Sequence, residues 1–232
     1  RAQVDKLLYE RFVKDRVVKS PGIDIIEAEV ANPIIKHGKI GGVKTVDGCT
    51  ISAESVVLTN GTFLNGLIHI GQKKIPAGRM GELGSVGITE YLARFGLEHG
   101  RLKTGTPPRL FKNSIDWNKL DKIEGDDKPA PFSHFHKNFD PPNIPCYSIA
   151  TNCEAHDIIK DNINRSPMFS GDILGVGPRY CPSIEDKIYR FSKKNSHRLI
   201  CEPEWVGSDQ IYLNGFSTSL PEEVQRKALE CI

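Results

Sequence analysis

The pattern of apolar and polar positions divides the chain into helical, strand-like and irregular stretches. Apolar residues recur every three or four positions from residue 2 to residue 19, which predicts an amphipathic helix ended by Ser20-Pro21-Gly22. A capping pair, Ser183 with Asp186, predicts a second helix start, and an apolar stripe follows it. The same spacing predicts further helices over 88–95, 154–164 and 221–229.

Short runs rich in β-branched residues predict strands between these helices. They lie at 23–30, 34–36, 43–46, 56–59, 199–201 and 210–213. The run 56–59 stops abruptly at Asn60-Gly61-Thr62, as a buried strand does where it delivers its backbone to a ligand crevice.

The stretch from residue 101 to about residue 145 has a different character. It carries seven prolines and little helical periodicity. We therefore expect irregular loops and short strands here, in a subdomain inserted between the flanking parts of the chain.

Composition narrows the class of protein. The chain has 232 residues, 38% of them hydrophobic, and 31 Lys plus Arg stand against 29 Asp plus Glu. No apolar run reaches the length of a membrane span, and residues 1–6 do not resemble a signal peptide. Six cysteines without a C-x-x-C pair are typical of reduced thiols in the cytoplasm. With a net charge of +2, contact with RNA would need a local basic patch.

Two segments could bind phosphate. Gly175-Val176-Gly177 begins like a dinucleotide fingerprint, but Tyr180 replaces its third glycine, and a simple turn explains the pattern equally. Cys181 precedes the predicted helix start, where the helix dipole favours a thiolate and a bound pyrophosphate; an inert buried thiol is the alternative. The segment 101–109 contains three cations, which suit phosphate contact or an ordinary solvated loop.

A metal centre is a weaker interpretation of the sequence. Several possible ligands fall within 23 residues, but their spacing fits no recognised ligand set. They are His134, His136, Cys146, Cys153 and His156. We therefore predict no metal site, and we interpret the acidic residues at 124–127 as an exposed turn.

Five longer segments together resemble one protein family. They are 58–66, 100–109, 164–169, 177–187 and 214–221, with 177–187 reading Gly-Pro-Arg-Tyr-Cys-Pro-Ser-Ile-Glu-Asp-Lys. On these residues the chain is similar to the MnmG (GidA) family, flavoproteins that modify the wobble uridine of certain tRNAs. The resemblance runs in order along the whole chain and places it in the middle of a longer family member.

The resemblance implies an α/β fold with an inserted subdomain. The fold would be a doubly wound, Rossmann-like FAD-binding domain, incomplete here because the family's G-x-G-x-x-G loop and its C-terminal helical region are not in this sequence. Residues 1–104 and 175–232 would belong to that domain, and 105–174 to an inserted, nicotinamide-associated α+β subdomain.

The resemblance also implies site residues. Val30, closing an early strand, and Ser85 match FAD contacts, and the turn at Gly61 and Thr62 would border the same crevice. Cys181 matches one of the family's two functionally important cysteines. Arg101, Lys103 and Arg109 are the candidate RNA contacts. The nicotinamide nucleotide site would comprise Gly177, Pro178, Arg179, Tyr180, Cys181, Pro182, Ser183, Ile184, Glu185, Asp186, Lys187, Ile188, Tyr189, Arg190 and Phe191.

The implied activity joins two cofactors and a one-carbon donor. The parent enzyme would reduce FAD with NADH and take a one-carbon unit from methylenetetrahydrofolate. As a homodimer working with an MnmE-type GTPase, it would add an aminomethyl or carboxymethylaminomethyl group to C5 of uridine 34 in tRNA. Two alternatives stay open: a catalytically silent nucleotide- or RNA-binding module, and the related folate-dependent methyltransferase that makes 5-methyluridine in tRNA.

Overall fold

Five helices and ten strands form in the part of the chain that the computed structural model describes, residues 3–78, 81–135, 139–173, 175, 177 and 182–232. The helices are α1 (Lys6–Val18), α2 (Ile88–Ala93), α3 (Cys153–Asp161), α4 (Ile184–Arg190) and α5 (Glu222–Glu230). The strands are β1 (Val30–Lys36), β2 (Lys39–Thr45), β3 (Thr50–Ser52), β4 (Leu67–Ile70), β5 (Lys73–Pro76), β6 (Arg109–Phe111), β7 (Asp121–Ile123), β8 (Cys146–Ala150), β9 (Arg198–Pro203) and β10 (Gln210–Asn214).

Polar side chains fix where three of the helices begin. Asp5 accepts the N–H of Leu8 at 2.9 Å at the start of α1, and Asn152 caps α3 in the same way. The Ser183 hydroxyl accepts the Asp186 N–H at 3.3 Å at the start of α4. Each cap satisfies an N–H that has no partner within the helix, and the helices predicted from periodicity are confirmed.

The largest sheet has five strands in the order β6-β10-β9-β8-β7, and all its pairings are antiparallel. Its strands β6 and β7 come from the proline-rich stretch, which confirms short strands there. The sheet combines strands from both sides of residue 174, and the domain division expected at that position stays a prediction.

The core lies where α3, α4 and α5 pack against this sheet. Its fully buried members alternate along β9 and β10 and recur along the three helices, as two-residue and helical periods require. The larger ones are Ile159, Ile184, Ile188, Leu199, Ile211, Leu213, Phe216, Leu220 and Val224.

The first part of the chain forms a three-stranded sheet, β1-β2-β3, and a separate hairpin, β4-β5. Gly42 allows the close approach of β2 and β3, because its φ is +137° and a Cβ there would lie 2.0 Å from the Ile51 carbonyl oxygen.

Two predicted strands are wrong. Residues 23–29 and 56–59 have no strand pairing, and apolar side chains there are exposed, Ile25 by 60% and Val57 by 84%. An apolar run favours burial but forms a strand only where a neighbouring strand pairs with its backbone. Among the described residues, the 23–29 stretch has a single backbone hydrogen bond of this kind, from the Val46 N–H to the Glu29 carbonyl at 2.8 Å, and no ladder forms. Val30 therefore opens β1, opposite Thr45, and does not close an earlier strand.

The mixture of helices and sheets confirms the α/β character of the chain. A doubly wound sheet is mainly parallel, whereas every pair of named strands in the described residues is antiparallel. The isolated bridge between Leu64 and Ser85 is parallel. Within the same residues, no helix combines the length and the apolar character that crossing a bilayer needs.

Candidate functional site

Four of the five recognised segments meet around the start of α4. The Ile184 N–H donates to the Ser217 carbonyl at 2.7 Å, which joins 177–187 to 214–221. The Thr218 N–H donates to the Thr106 carbonyl at 3.3 Å, which adds the segment 100–109. Residues that lie far apart in sequence thus form one neighbourhood, which we call the α4 junction.

Glu185 is the tie at the centre of the α4 junction. Its side chain is fully buried, and its Oε1 accepts the Ser166 hydroxyl at 3.1 Å, the Ser219 N–H at 3.1 Å and the Ser219 hydroxyl at 3.3 Å. Ser166 belongs to the fourth segment, 164–169, so one carboxylate oxygen joins three segments. The other oxygen, Oε2, is buried and has no hydrogen-bond partner among the described residues.

The segment 100–109 also lies against the loop that precedes α4. A Cβ on Gly175 would come within 3.2 Å of the Arg101 carbonyl oxygen and the Lys103 amide nitrogen. Only a glycine permits backbones to approach this closely without displacement. Arg101 and Lys103 are thereby brought beside the loop that leads to Cys181.

Cys181 itself lies outside the described residues, together with Pro178, Arg179 and Tyr180. The structure places both flanks of this segment: Gly177 is exposed on one side, and the capped start of α4 follows on the other. Its geometry toward a substrate stays a prediction.

The first turn of α4 is a poor cradle for a pyrophosphate. The N–H groups of Ile184, Asp186 and Lys187 already donate to Ser217 or Ser183, and two acidic residues, Glu185 and Asp186, occupy the same turn. Bound N–H groups and nearby carboxylates both disfavour an added anion. The described residues here do not fit the phosphates of a dinucleotide.

The three candidate RNA contacts differ in their surroundings. Arg101 is exposed and Lys103 is half-buried. Arg109 is already engaged, since its Nε donates to Glu204 at 2.7 Å, its Nη1 donates to the Pro107 carbonyl, and its guanidinium lies 4.7 Å from the centre of the Tyr212 ring. An RNA phosphate would have to compete with the Glu204 carboxylate for this arginine.

The four candidate FAD contacts lie in a second neighbourhood. A parallel bridge joins Leu64 to Ser85, and the Ser85 N–H donates to the Phe63 carbonyl at 2.9 Å, which holds Ser85 beside the turn at Gly61 and Thr62. A Cβ added at Gly87, two residues after Ser85, would lie 4.0 Å from the carbonyl oxygen of Ala31, the residue after Val30. These contacts join Ser85 to the turn and bring the chain that follows it toward the start of β1.

The β4-β5 hairpin connects to the α4 junction. The Gly71 N–H donates to the Ser219 carbonyl at 2.7 Å, and Lys74 pairs with Asp172 at 3.6 Å. His69 on β4 has a buried Nδ1 without a hydrogen-bond partner in the described residues. Burial, followed by the charge of Lys74, lowers its pKa, and Arg101 acts in the same direction. The hairpin thus carries a neutral imidazole near the cations of the junction.

The other candidate ligands are dispersed. Cys146 lies on β8, and Cys153 and His156 lie on α3; among the described residues no three His, Cys, Asp or Glu side chains are arranged to hold a metal ion. None of the cysteines at described positions is in a disulfide.

Sequence reasoning missed Ser166 and Ser219 as parts of the α4 junction. Each precedes a proline by one or two positions, in Ser166-Pro167 and Ser219-Leu220-Pro221, and both segments belong to the recognised motifs. That signal marks the segments but does not reveal that both serines bind one buried carboxylate.

Comparison with known proteins agrees with these motifs. The model of the family described as "Glucose inhibited division protein A" matches residues 1–232. The chain is 47% identical over 232 residues to a Syntrophotalea carbinolica protein named "tRNA uridine 5-carboxymethylaminomethyl modification enzyme MnmG". It is 46% identical over 233 aligned residues to the protein of the same name from Cytophaga hutchinsonii.

Solved structures of GidA from Aquifex aeolicus resemble the fold. In one crystal form the TM-score is 0.88 at 42% identity, with 97% of this chain covered and 38% of that chain. In the other form it is 0.87 at 39% identity, with 99% and 37% covered. The chain likewise spans 38% of the length of the two curated relatives. On the match along its whole length, the chain belongs to the Glucose inhibited division protein A (GidA) family.

Proposed function

We propose that the protein containing this chain is a tRNA-modifying flavoenzyme that acts on C5 of the wobble uridine, uridine 34. The observation that carries the proposal is the 46–47% identity along the whole chain to proteins named as tRNA uridine 5-carboxymethylaminomethyl modification enzymes. The meeting of four motif segments at the α4 junction supports it, because a site needs its motifs in one place.

Cys181 is the proposed catalytic residue. C5 of uracil becomes nucleophilic only when C6 is attacked or the ring is otherwise activated, and a thiolate of low pKa suits that task. Whether Cys181 acts as nucleophile, base or proton donor is left open. The α4 junction would serve to hold both ends of the segment that contains Cys181, through the hydrogen bonds of Glu185 on one side and the close packing of Gly175 against residues 101–103 on the other.

We assign FAD to the second neighbourhood, and the placement of Ser85 beside the turn at Gly61 and Thr62 supports this assignment. When bound there, FAD would supply a two-electron redox centre. The described residues of α4 do not fit the pyrophosphate of NADH, so we assign no step to NADH at the start of this helix. We propose NADH as the reductant and methylenetetrahydrofolate as the one-carbon donor because the family resemblance implies both.

The family resemblance also supplies the larger assembly. We propose that a doubly wound FAD domain is completed by polypeptide beyond this chain, with residues 105–174 as the inserted subdomain. The complete protein would be a homodimer that works in the cytoplasm with a GTPase partner and tRNA.

Analysis of tRNA nucleosides tests the function. The gene for the natural-length polypeptide that contains this sequence is placed in a bacterial strain lacking this modification, and its tRNA is digested and examined by mass spectrometry. The carboxymethylaminomethyl or aminomethyl nucleoside should return with the wild-type protein. Cys181→Ala should reduce it by about a hundredfold or more, while the matched variant Cys153→Ala, at an exposed thiol, should retain it.

The same experiment separates the alternatives. Appearance of 5-methyluridine in place of the larger modification would support the methyltransferase interpretation. Binding of tRNA or NADH with no modified nucleoside would support the silent binding module. Full modification by Cys181→Ala would show that this cysteine is not catalytic.

A further inference from the structure

A basic surface with exposed aromatic rings lies at the carboxyl end of α4, away from the α4 junction. Residues 187–198 contain five Lys or Arg side chains and no Asp or Glu, in a chain whose charges otherwise nearly balance. Lys193, Lys194 and Arg198 are exposed, and within the described ranges no carboxylate pairs with any of them. We call residues 189–198 the basic ridge.

His197, within the basic ridge, lies near the positive charges of two lysines. The pKa of His197 is lowered by burial first, then by His156, and then by the positive charges of Lys187 and Lys194. No carboxylate opposes this effect on His197. Arg190 pairs with Asp186 at 2.7 Å.

Two aromatic rings stand among these cations. Tyr189 is 66% exposed, and Phe191, which directly follows α4, is 53% exposed. Phe169 packs edge-on against Tyr189, with ring centres 5.4 Å apart, and steadies it. The Lys194 ammonium lies 5.5 Å from the centre of the Phe191 ring, so a cation and a stacking surface are held side by side.

We propose that the basic ridge binds the RNA substrate, with Lys193, Lys194 and Arg198 contacting phosphates and Phe191 stacking on an unpaired base. Cations beside exposed aromatic rings are the combination that binds single-stranded RNA, since every base has a face that stacks and every nucleotide has a phosphate. This inference rests on the proposed function, which supplies a tRNA with an open anticodon loop. The basic ridge would be a second RNA-binding surface, in addition to the candidate contacts Arg101, Lys103 and Arg109.

The charge part of the proposal is tested with the double variant Lys193→Gln/Lys194→Gln of the natural-length polypeptide. Binding of a fluorescent tRNA transcript is measured by anisotropy at several salt concentrations. Loss of two phosphate contacts should weaken binding about tenfold near 0.1 M salt and lower the slope of log K against log salt by about 1.4. The matched control is Lys36→Gln/Lys39→Gln, which removes two exposed lysines from the β1-β2 hairpin and should leave affinity and slope unchanged.

The stacking part is tested at Phe191. Phe191→Leu should weaken tRNA binding about five- to a hundredfold, and Phe191→Tyr, which keeps an aromatic face, should restore it. Circular dichroism of each variant shows whether the fold is retained. Equal losses in the leucine and tyrosine variants would refute stacking.

Other ligands of the ridge would give different results. Weaker binding of NADH by the double lysine variant, with tRNA affinity intact, would assign the ridge to a dinucleotide and overturn the proposal. If the double lysine variant loses binding to the GTPase partner but keeps its affinity for tRNA, the basic ridge is a protein-binding surface, and the proposal is also overturned. A wild-type protein that binds tRNA through the ridge without modifying it would refute the proposed function and leave this inference standing.

Discussion

At the scale of single residues, Glu185 combines complete burial with three hydrogen bonds to one of its oxygens. Its Oε1 accepts from two serine hydroxyls and one backbone N–H. Replacing it leaves the buried Ser219 N–H without this acceptor and leaves the two hydroxyls, which lie 3.1 Å apart, only each other. Glu185→Ala should therefore lower the free energy of unfolding by about 3 kcal/mol, measured by urea denaturation. Glu185→Gln keeps the accepting oxygen and should cost less than about 1 kcal/mol. Equal unfolding curves for the alanine variant and the wild type would contradict the role of Glu185 as a tie.

The thiols should differ sharply in reactivity. Burial raises the pKa of Cys201 to about 11, with Cys146 and Glu202 adding to the shift. At pH 8 only about one molecule in a thousand carries its reactive thiolate. Iodoacetamide should modify the exposed Cys49 and Cys153 in the folded protein and leave Cys201 unmodified until urea is added. Peptide mass mapping measures this, and rapid native labelling of Cys201 would show that it is not buried as described.

At the scale of elements, two histidines join α3 to the strand pair β8-β9. The His156 Nε2 and the Thr151 hydroxyl are hydrogen-bonded at 2.7 Å, the same hydroxyl accepts the His197 N–H at 2.8 Å, and the two rings lie 5.3 Å apart. Burial lowers the pKa of both histidines; Lys160 adds to the effect at His156 and Asp157 opposes it. The folded state therefore favours neutral rings.

The sign of the pH dependence follows from these shifts. Below about pH 6.5 the histidines of the unfolded chain become protonated, whereas those of the folded protein, with their lowered pKa, stay neutral. Protonation therefore stabilises the unfolded state, and the free energy of unfolding should fall as the pH falls from about 7 to 5.5. Urea denaturation at three pH values measures the slope. His156→Gln should flatten it, whereas His37→Gln, at an exposed turn, should not. A steeper or unchanged slope in the His156 variant would contradict the explanation.

At the scale of the whole molecule, much apolar surface is exposed in the first part of the chain. No residue of α1 is buried, and Leu8, Phe12 and Val18 are each about 60% exposed. A polypeptide made as residues 1–232 alone should bind a hydrophobic dye and self-associate. Leu8→Glu with Phe12→Glu should reduce dye fluorescence and association, measured by light scattering. Full association in this variant would assign the behaviour to another surface.

The sequence predicts the helices well and the sheets less well, for physical reasons. Capped helices such as α3 and α4 depend on local signals, which Asn152 and Ser183 provide. A strand forms only where another strand, often distant in sequence, pairs with it, and the prediction of a strand at 56–59 is therefore wrong. The motifs indicate which segments form the candidate site. Hydrophobic patterning, however, predicts an exposed position for Glu185 and does not predict that Ser166 and Ser219 donate hydrogen bonds to it.

The order of strands in the five-stranded sheet has a consequence for synthesis of the protein. β9 lies at the centre, between β8 and β10, and the edge strand β6 pairs only with β10, about 100 residues later in the chain. At ~5–20 residues per second a ribosome needs roughly 3–13 s to advance from the end of β8 to the end of β10. Throughout that interval β6 lacks its partner strand and presents unpaired backbone edges, so we expect chaperones to bind the nascent chain.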